Sequence, residues 1–107
     1  EGMIAPGHWP LELTNILKIG ELRGRITATD ASAFLALVGS LGVAIDPETA
    51  KRAWSDTRLL AASDGLTTYD AAYLELAIRR QAELASKDAD LLKAARRRHV
   101  PVLDLRT

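Results

Sequence analysis

Apolar residues recur at helical spacing along most of this chain, and the densest such pattern lies in residues 66–78. One apolar stripe there consists of Tyr69, Ala72, Tyr73, Leu76 and Ala77, and the next stripe of Ala71, Leu74 and Ile78. Because so much of the circumference is apolar, the pattern predicts a helix buried in a core rather than laid on a surface.

Three further helices are predicted ahead of this buried one. The first opens at Trp9 and Pro10 and lasts to about residue 23, before a glycine. The second starts at Thr27, whose hydroxyl fits the pattern of a capping box. The third starts at Asp46 and Pro47, where an N-cap residue is followed by proline at the first helical position.

The second and third helices have apolar positions that we expect to face the core. In the second helix these positions are Phe34, Leu35, Val38 and Leu41. In the third helix, which runs to about Ala62, they are Ala50, Ala53, Trp54 and Leu60. The two tryptophans, Trp9 and Trp54, are expected in a core or an interface, not as stacking platforms.

Short extended segments alternate with the helices. They are predicted at residues 3–5, 83–86 and 100–103, and Pro101 restricts the last one to an edge. Residues 43–45 are predicted to be a brief extended link. Helices alternating with short strands favour an α/β fold with a parallel sheet flanked by helices, and a length of 107 residues suggests a single domain over 1–107.

The amino-acid composition excludes several classes of protein. The 14 basic and 14 acidic residues balance, which argues against a strongly basic nucleic-acid binder but leaves room for a local basic patch. The absence of cysteine excludes disulfides and thiolate metal sites. No apolar run reaches the ~20 residues that a membrane span needs, and no basic n-region of a signal peptide is visible. We therefore expect a soluble cytoplasmic protein without a membrane partner.

Three acidic residues stand in positions where ligands are often bound. Asp70 lies at the head of the buried helix, and Asp88 follows the extended piece at 83–86. Open α/β sheets bind ligands just past the carboxyl ends of their strands, which is where Asp88 is expected. Glu12 shares a stripe with Asn15 and Ile16 near a helix start, and an unpaired glutamate is seldom buried on such a stripe.

Each charged candidate also fits an ordinary role at a helix end. Asp70 can belong to a capping box with Thr67, and Asp88 can be the N-cap of the following helix. Glu12 can be a partly exposed first-turn residue favoured by the helix dipole, and residues 96–98, all arginine, can be a solvated helix C-terminus. If all the acids are caps, the chain is a plain helical scaffold.

Acids from three elements without cysteine or histidine suit a hard divalent cation. Mg²⁺ and Mn²⁺ take oxygen ligands, and grouped carboxylates would repel one another without a cation between them. Such a site is well suited to phosphodiester hydrolysis, in which the metal activates water and stabilises charge on the phosphate. His8 and His99 match no metal-ligand spacing.

The order and spacing of several segments resemble those of PIN-domain ribonucleases, most closely the VapC-type toxins of bacterial toxin–antitoxin pairs. The similarity spans essentially the whole chain, through residues 5–15, 66–77, 84–88, 91–96 and 100–103. The block Thr-x-Tyr-Asp-Ala-x-Tyr-Leu at 67–74 is fairly specific, and the block Pro-x-Glu-x-x-Asn at 10–15 is less so.

The resemblance implies a site, a cofactor and partners. Glu12, Asp70 and Asp88 would be the acidic catalytic and metal-binding residues, and the cation would be Mg²⁺ or Mn²⁺. Asn15 and Ser86 would support them, and Asp90, one step past the family's position, ranks below Asp88. The implied partners are an RNA substrate, a cognate antitoxin protein and a second copy of the chain in a homodimer.

The resemblance also implies one strand and one helix ahead of Met3, with the family's first aspartate on that strand. This sequence begins after both, so we expect a helix-rich PIN-like domain that is incomplete at its N-terminus and has a gap in its sheet. We also expect weak or absent RNA cleavage by residues 1–107. The leading function is a Mg²⁺-dependent endoribonuclease, and the alternative is a non-catalytic PIN-like module that binds antitoxin or RNA without cleavage.

Overall fold

A computed structural model describes residues 2–106, which fall into two units. The first unit ends at Asp46 and the second begins at Pro47.

The first unit consists of two helices and a two-stranded parallel sheet. Its elements are β1 (Ile4–Ala5), α1 (Trp9–Leu22), α2 (Ala28–Ser40) and β2 (Ala44–Ile45). In the sheet, Ile4 lies opposite Ala44 and Ala5 lies opposite Ile45. The segment expected to be a link is therefore a strand, because its backbone hydrogen-bonds to that of β1.

The helix boundaries of this unit follow from local chemistry. Helix α1 has a proline in its first turn and is followed by Gly24, whose φ of 67° is favourable for glycine. Helix α2 begins with a complete capping box. The Thr27 hydroxyl accepts a hydrogen bond from the Asp30 N–H, and the Asp30 carboxylate accepts one from the Thr27 N–H, both at 3.0 Å.

The prediction that the large apolar side chains of α2 face the core is wrong. Phe34, Leu35 and Leu41 are exposed, Val38 is half-buried, and Ala31 is the only buried residue of this helix among the described residues. Within its unit, α2 has only α1 and a very short sheet to pack against. These elements offer too little surface to cover its large apolar side chains.

The second unit contains the remaining helices and a second parallel sheet. Its elements are α3 (Thr49–Arg52), a π turn (Ala53–Thr57), α4 (Arg58–Asp64), α5 (Thr68–Arg80), β3 (Leu84–Ser86), α6 (Ala89–Arg97) and β4 (Val102–Asp104). Strands β3 and β4 pair from Leu84 opposite Val102 to Ser86 opposite Asp104.

The core of the second unit centres on α5 and α6. Leu74 and Leu92 are completely buried, and they belong to a cluster that also includes Leu60, Ala77, Leu84, Leu91, Ala94, Ala95 and Val100. The prediction that residues 66–78 form a buried helix is confirmed, although Tyr69 and Ile78 at its ends are exposed.

The predicted start of the helix at 47–62 and most of its predicted inward face are wrong, although Leu60 is buried as predicted. Helix α3 begins at Thr49 with Glu48 as its N-cap, and Asp46 and Pro47 lie ahead of it. Ala50 and Ala53 are exposed, and Trp54 is 84% exposed. The extra residue of the π turn changes the angle about the helix axis between the residues ahead of it and Leu60 behind it, so Ala50 does not share the buried face of Leu60. The buried positions are Thr57, Leu60 and Ala61.

The chain is a helix-rich α/β protein, as the pattern predicts. Among residues 2–106 its strands form two separate two-stranded parallel sheets, where the sequence predicts one parallel sheet with a gap. Strand β4 starts after Pro101, so the missing N–H of proline costs the ladder no hydrogen bond. None of the described helices is both long enough and apolar enough to cross a membrane.

Candidate functional site

Asp88 lies two residues past the carboxyl end of β3 and is the N-cap of α6. Its Oδ1 accepts a hydrogen bond from the Leu91 N–H at 2.8 Å, and its own N–H donates to the Ser86 Oγ at 3.0 Å. Among residues 2–106, no group donates a hydrogen bond to the Asp88 Oδ2. The capping role is therefore confirmed, and it leaves the second oxygen of this exposed carboxylate available to a ligand.

Asp70 occupies the first turn of α5, as the sequence predicts. Its backbone N–H donates to the Thr67 Oγ1 at 3.1 Å, so Thr67 is the N-cap residue of this helix. The Asp70 side chain is half-buried. Its carboxylate stands at the positive end of a helix whose remaining length is largely buried, where the helix dipole favours negative charge.

Glu12 lies in the first turn of α1, close behind the carboxyl end of β1. Its Oε2 is 3.7 Å from the His8 Nε2, and its side chain is half-buried. Asn15, one turn further along α1, is exposed. The half-buried glutamate fits both the ligand interpretation and the first-turn interpretation.

The predicted site residues are divided between the two units. Glu12 and Asn15 belong to the first unit, whereas Asp70, Ser86, Asp88 and Asp90 belong to the second. A hydrogen bond joins Ser86 to Asp88, and Asp90 is an exposed first-turn acid of α6. No group of three or more acidic or histidine side chains that could hold a metal ion is found within residues 2–106.

The sheet end beside Ser86 carries a further carboxylate, that of Asp104. Arg106 donates to this carboxylate from Nη2 at 2.6 Å, and Arg96 reaches it at 3.4 Å. These hydrogen bonds, chiefly those from Arg106, hold the pKa of Asp104 well below its usual range. This end of the sheet therefore carries both fixed negative charge and guanidinium groups.

Two buried acids were missed by the sequence reasoning. Asp46 directly follows β2 and is 3% exposed, and its N–H donates to the Ala5 carbonyl at 2.8 Å. Its position after an extended apolar segment is the same signal that singled out Asp88. Glu75 is buried on α5 and accepts hydrogen bonds from the Arg79 Nε and Nη2 at 2.8 and 3.0 Å. The i, i+4 spacing of this pair is visible in the sequence.

Protein-family models, curated proteins and solved structures were compared with this chain, and none of them matches it.

Proposed function

We propose that this chain is a Mg²⁺- or Mn²⁺-dependent endoribonuclease of the PIN type that acts as the toxin of a toxin–antitoxin pair. The observation that carries the proposal is the position of Asp88. It follows the carboxyl end of a strand in a parallel ladder, and one of its carboxylate oxygens is unused by the helix that it caps. Ligand sites of α/β proteins favour this position.

Glu12 supports the proposal independently. It follows β1, a strand of the other parallel ladder, although at a longer distance in sequence than Asp88 follows β3. Asp70, the third acid, lies at the N-terminus of the buried helix α5. Each acid therefore stands in or beside the first turn of a helix, where the helix dipole favours negative charge. An ionised carboxylate is the form that binds a cation.

Carboxylate oxygens are the donors that Mg²⁺ and Mn²⁺ prefer. Because the described residues contain no ready group of three ligands, we propose that water fills the remaining positions, as Mg²⁺ commonly requires. The bound cation would supply an activated water and would stabilise negative charge on the phosphate. The Ser86 hydroxyl holds the Asp88 backbone in place, and the Asn15 amide would support Glu12 within α1.

The experiment is an RNA cleavage assay with the full chain, with and without Mg²⁺. We expect weak cleavage by residues 1–107, and Asp88→Asn should abolish its Mg²⁺-dependent part, because the amide keeps the capping oxygen but loses the charge that binds the cation. The matched control is Glu83→Gln, which removes an exposed acid just ahead of β3. Equal loss in both variants, or cleavage that persists in a chelator, would contradict the proposal.

A second candidate function is a non-catalytic module that binds antitoxin or RNA. The observation that favours it is the exposed apolar surface of the first unit. Leu11 and Leu22 on α1 are each 75% exposed, and Leu37 on α2 is 59% exposed. Exposed apolar patches of this kind are typical of protein-binding surfaces. RNA or partner binding that is unchanged in Asp88→Asn and independent of Mg²⁺ would support this candidate.

A further inference from the structure

The second unit has a cleft of about 670 Å³ that the proposed nuclease function does not use. One wall is a face of the helical segment 49–64, and the other is a face of α5. Its volume lies within the ~300–1,000 Å³ that is typical of ligand sites. Neither Asp70 nor Asp88 lines it.

The middle of the cleft is apolar. Leu59 on α4 is 58% exposed and Ile78 on α5 is 42% exposed, and both line the opening. When a ligand removes such apolar side chains from water, the free energy of the complex is lowered. The polar groups of the cleft belong mainly to charged residues on either side of this apolar middle.

Arg98 offers oriented hydrogen-bond donors to the cleft. Its Nε and Nη2 donate to the two carboxylate oxygens of Asp64 at 2.7 Å each, and Nη2 also donates to the Ser63 Oγ at 2.9 Å. Its Nη1 has no acceptor within the described part of the chain. Because the other edge of the guanidinium is fixed, the two N–H groups of Nη1 are already positioned to bind a carboxylate.

Asp56 offers an acceptor to the same cleft. Its Oδ2 accepts a hydrogen bond from the Arg52 Nη1 at 2.9 Å, whereas its Oδ1 has no donor among residues 2–106. The side chain is 54% exposed, so a cationic group can reach the free oxygen. The cleft thus carries one unused acceptor and one unused pair of donors.

The separation of these groups sets the size of a ligand. Asp56 and Ser63 are seven residues apart on one helical segment, which corresponds to about 10 Å along its axis. Arg98 is fixed at the Ser63 end by its hydrogen bond to that residue. An extended peptide spans about 3.3–3.6 Å per residue, so about three residues cover this length.

We propose that the cleft binds a short apolar peptide in an extended conformation. The ammonium of the peptide pairs with Asp56, its carboxylate pairs with the Arg98 Nη1, and its apolar side chains pack on Leu59 and Ile78. The balance of charge favours such a zwitterion over RNA. Three arginines and two carboxylates line the cleft, and the Asp64 carboxylate lies beside Arg98. These carboxylates would repel the phosphates of an RNA strand bound in the cleft.

The test is a titration of the full chain with trileucine, followed through its backbone amide NMR signals. We expect saturable shifts at the amides of residues lining the cleft, with Leu59 and Ile78 among them. Acetylation of the peptide N-terminus or amidation of its C-terminus should each weaken binding by about tenfold, since each removes one charge-assisted hydrogen bond.

Variants of the protein test which residue binds each end of the peptide. Arg98→Gln should abolish the difference between the free and amidated peptides, and Asp56→Asn should abolish the difference between the free and acetylated peptides. Arg97→Gln, next in sequence and outside the cleft, should behave as the parent does. The proposal is overturned if a peptide blocked at both ends binds as tightly as trileucine. It is also overturned if an RNA oligonucleotide shifts the same amides at lower concentration, or if no amide of the cleft shifts.

Discussion

Arg98 belongs to a run of three arginines that the sequence assigns to a solvated helix end, yet it makes a specific contact. Its hydrogen bonds to Asp64 connect the residue after α6 to the last residue of α4. The guanidinium lowers the pKa of Asp64 to about 2. Sequence alone shows that Arg98 ends a helix, but the partner of Arg98 lies 34 residues away, a distance over which no local pattern applies.

This pair predicts a specific pH dependence of stability. The pKa of Asp64 is about 2 in the folded chain and about 4 in an unfolded chain, so the unfolded state binds a proton first as the pH falls. The contribution of the pair is therefore complete at neutral pH and is lost between about pH 4 and about pH 2. In urea unfolding, Asp64→Asn should be less stable than the parent at neutral pH, and this difference should shrink at about pH 3.

Asp104→Asn is the control for this experiment, because Asp104 also has a lowered pKa but contacts different arginines. Removing Asp104 should leave the contribution of Asp64 unchanged. A difference between parent and Asp64→Asn that stays constant from neutral to acid pH would contradict the role given to the ion pair.

The acids show how far single residues can be interpreted from sequence. The caps predicted at Thr27, Thr67 and Asp88 are present, because capping depends on neighbours within three residues, whereas the cap predicted at Asp46 is not. Asp46 and Glu75 were missed as buried acids, because burial depends on what packs above a residue. Local chemistry can be predicted from sequence, whereas the environment of a side chain depends on tertiary packing.

At the scale of elements, the π turn at Ala53–Thr57 explains the largest error of interpretation. The prediction places Trp54 on the buried face with Leu60, but Trp54 lies inside the π turn and is exposed, whereas Thr57 at its end and Leu60 after it are buried. No signal in residues 49–64 marks the extra residue. By contrast α5, with an apolar pattern and no interruption, is correctly predicted as a buried helix.

The π turn leads to a prediction about Thr57. Its Oγ1 is buried and lacks a hydrogen-bond partner in the part of the chain that the structure describes. Thr57→Val keeps the shape of the side chain and removes the unpaired hydroxyl, so the free energy of unfolding should rise by about 1 kcal/mol. The exposed Thr68→Val is the matched control and should change it little. A destabilised Thr57→Val would show that the hydroxyl is satisfied in solution.

At the scale of the whole molecule, the exposed apolar surface of the first unit predicts self-association. Leu11 and Leu22 are eleven residues apart on α1, which is about three full turns, so they lie on one stripe. We expect a homodimer at micromolar concentration in light scattering, since pairing would remove such surfaces from water. Introducing charge with Leu11→Glu and Leu22→Glu should give a monomer.

The control for the dimer is Lys51→Glu, an exposed charge change in the second unit. This variant should remain dimeric. A parent chain that is monomeric at the same concentration would contradict the prediction, and so would a dimer that survives both leucine substitutions.

The most direct test of the proposed nuclease site is a titration with Mn²⁺, which broadens NMR signals of nearby amides. If Asp70 and Asp88 bind one cation, amides next to both should broaden over the same range of Mn²⁺ concentration. Asp70→Asn should then weaken the broadening at both positions together. Broadening of amide signals next to only one acid, or broadening that is unchanged in Asp70→Asn, would contradict the account. It would show that these carboxylates stabilise helix N-termini and do not bind a metal ion.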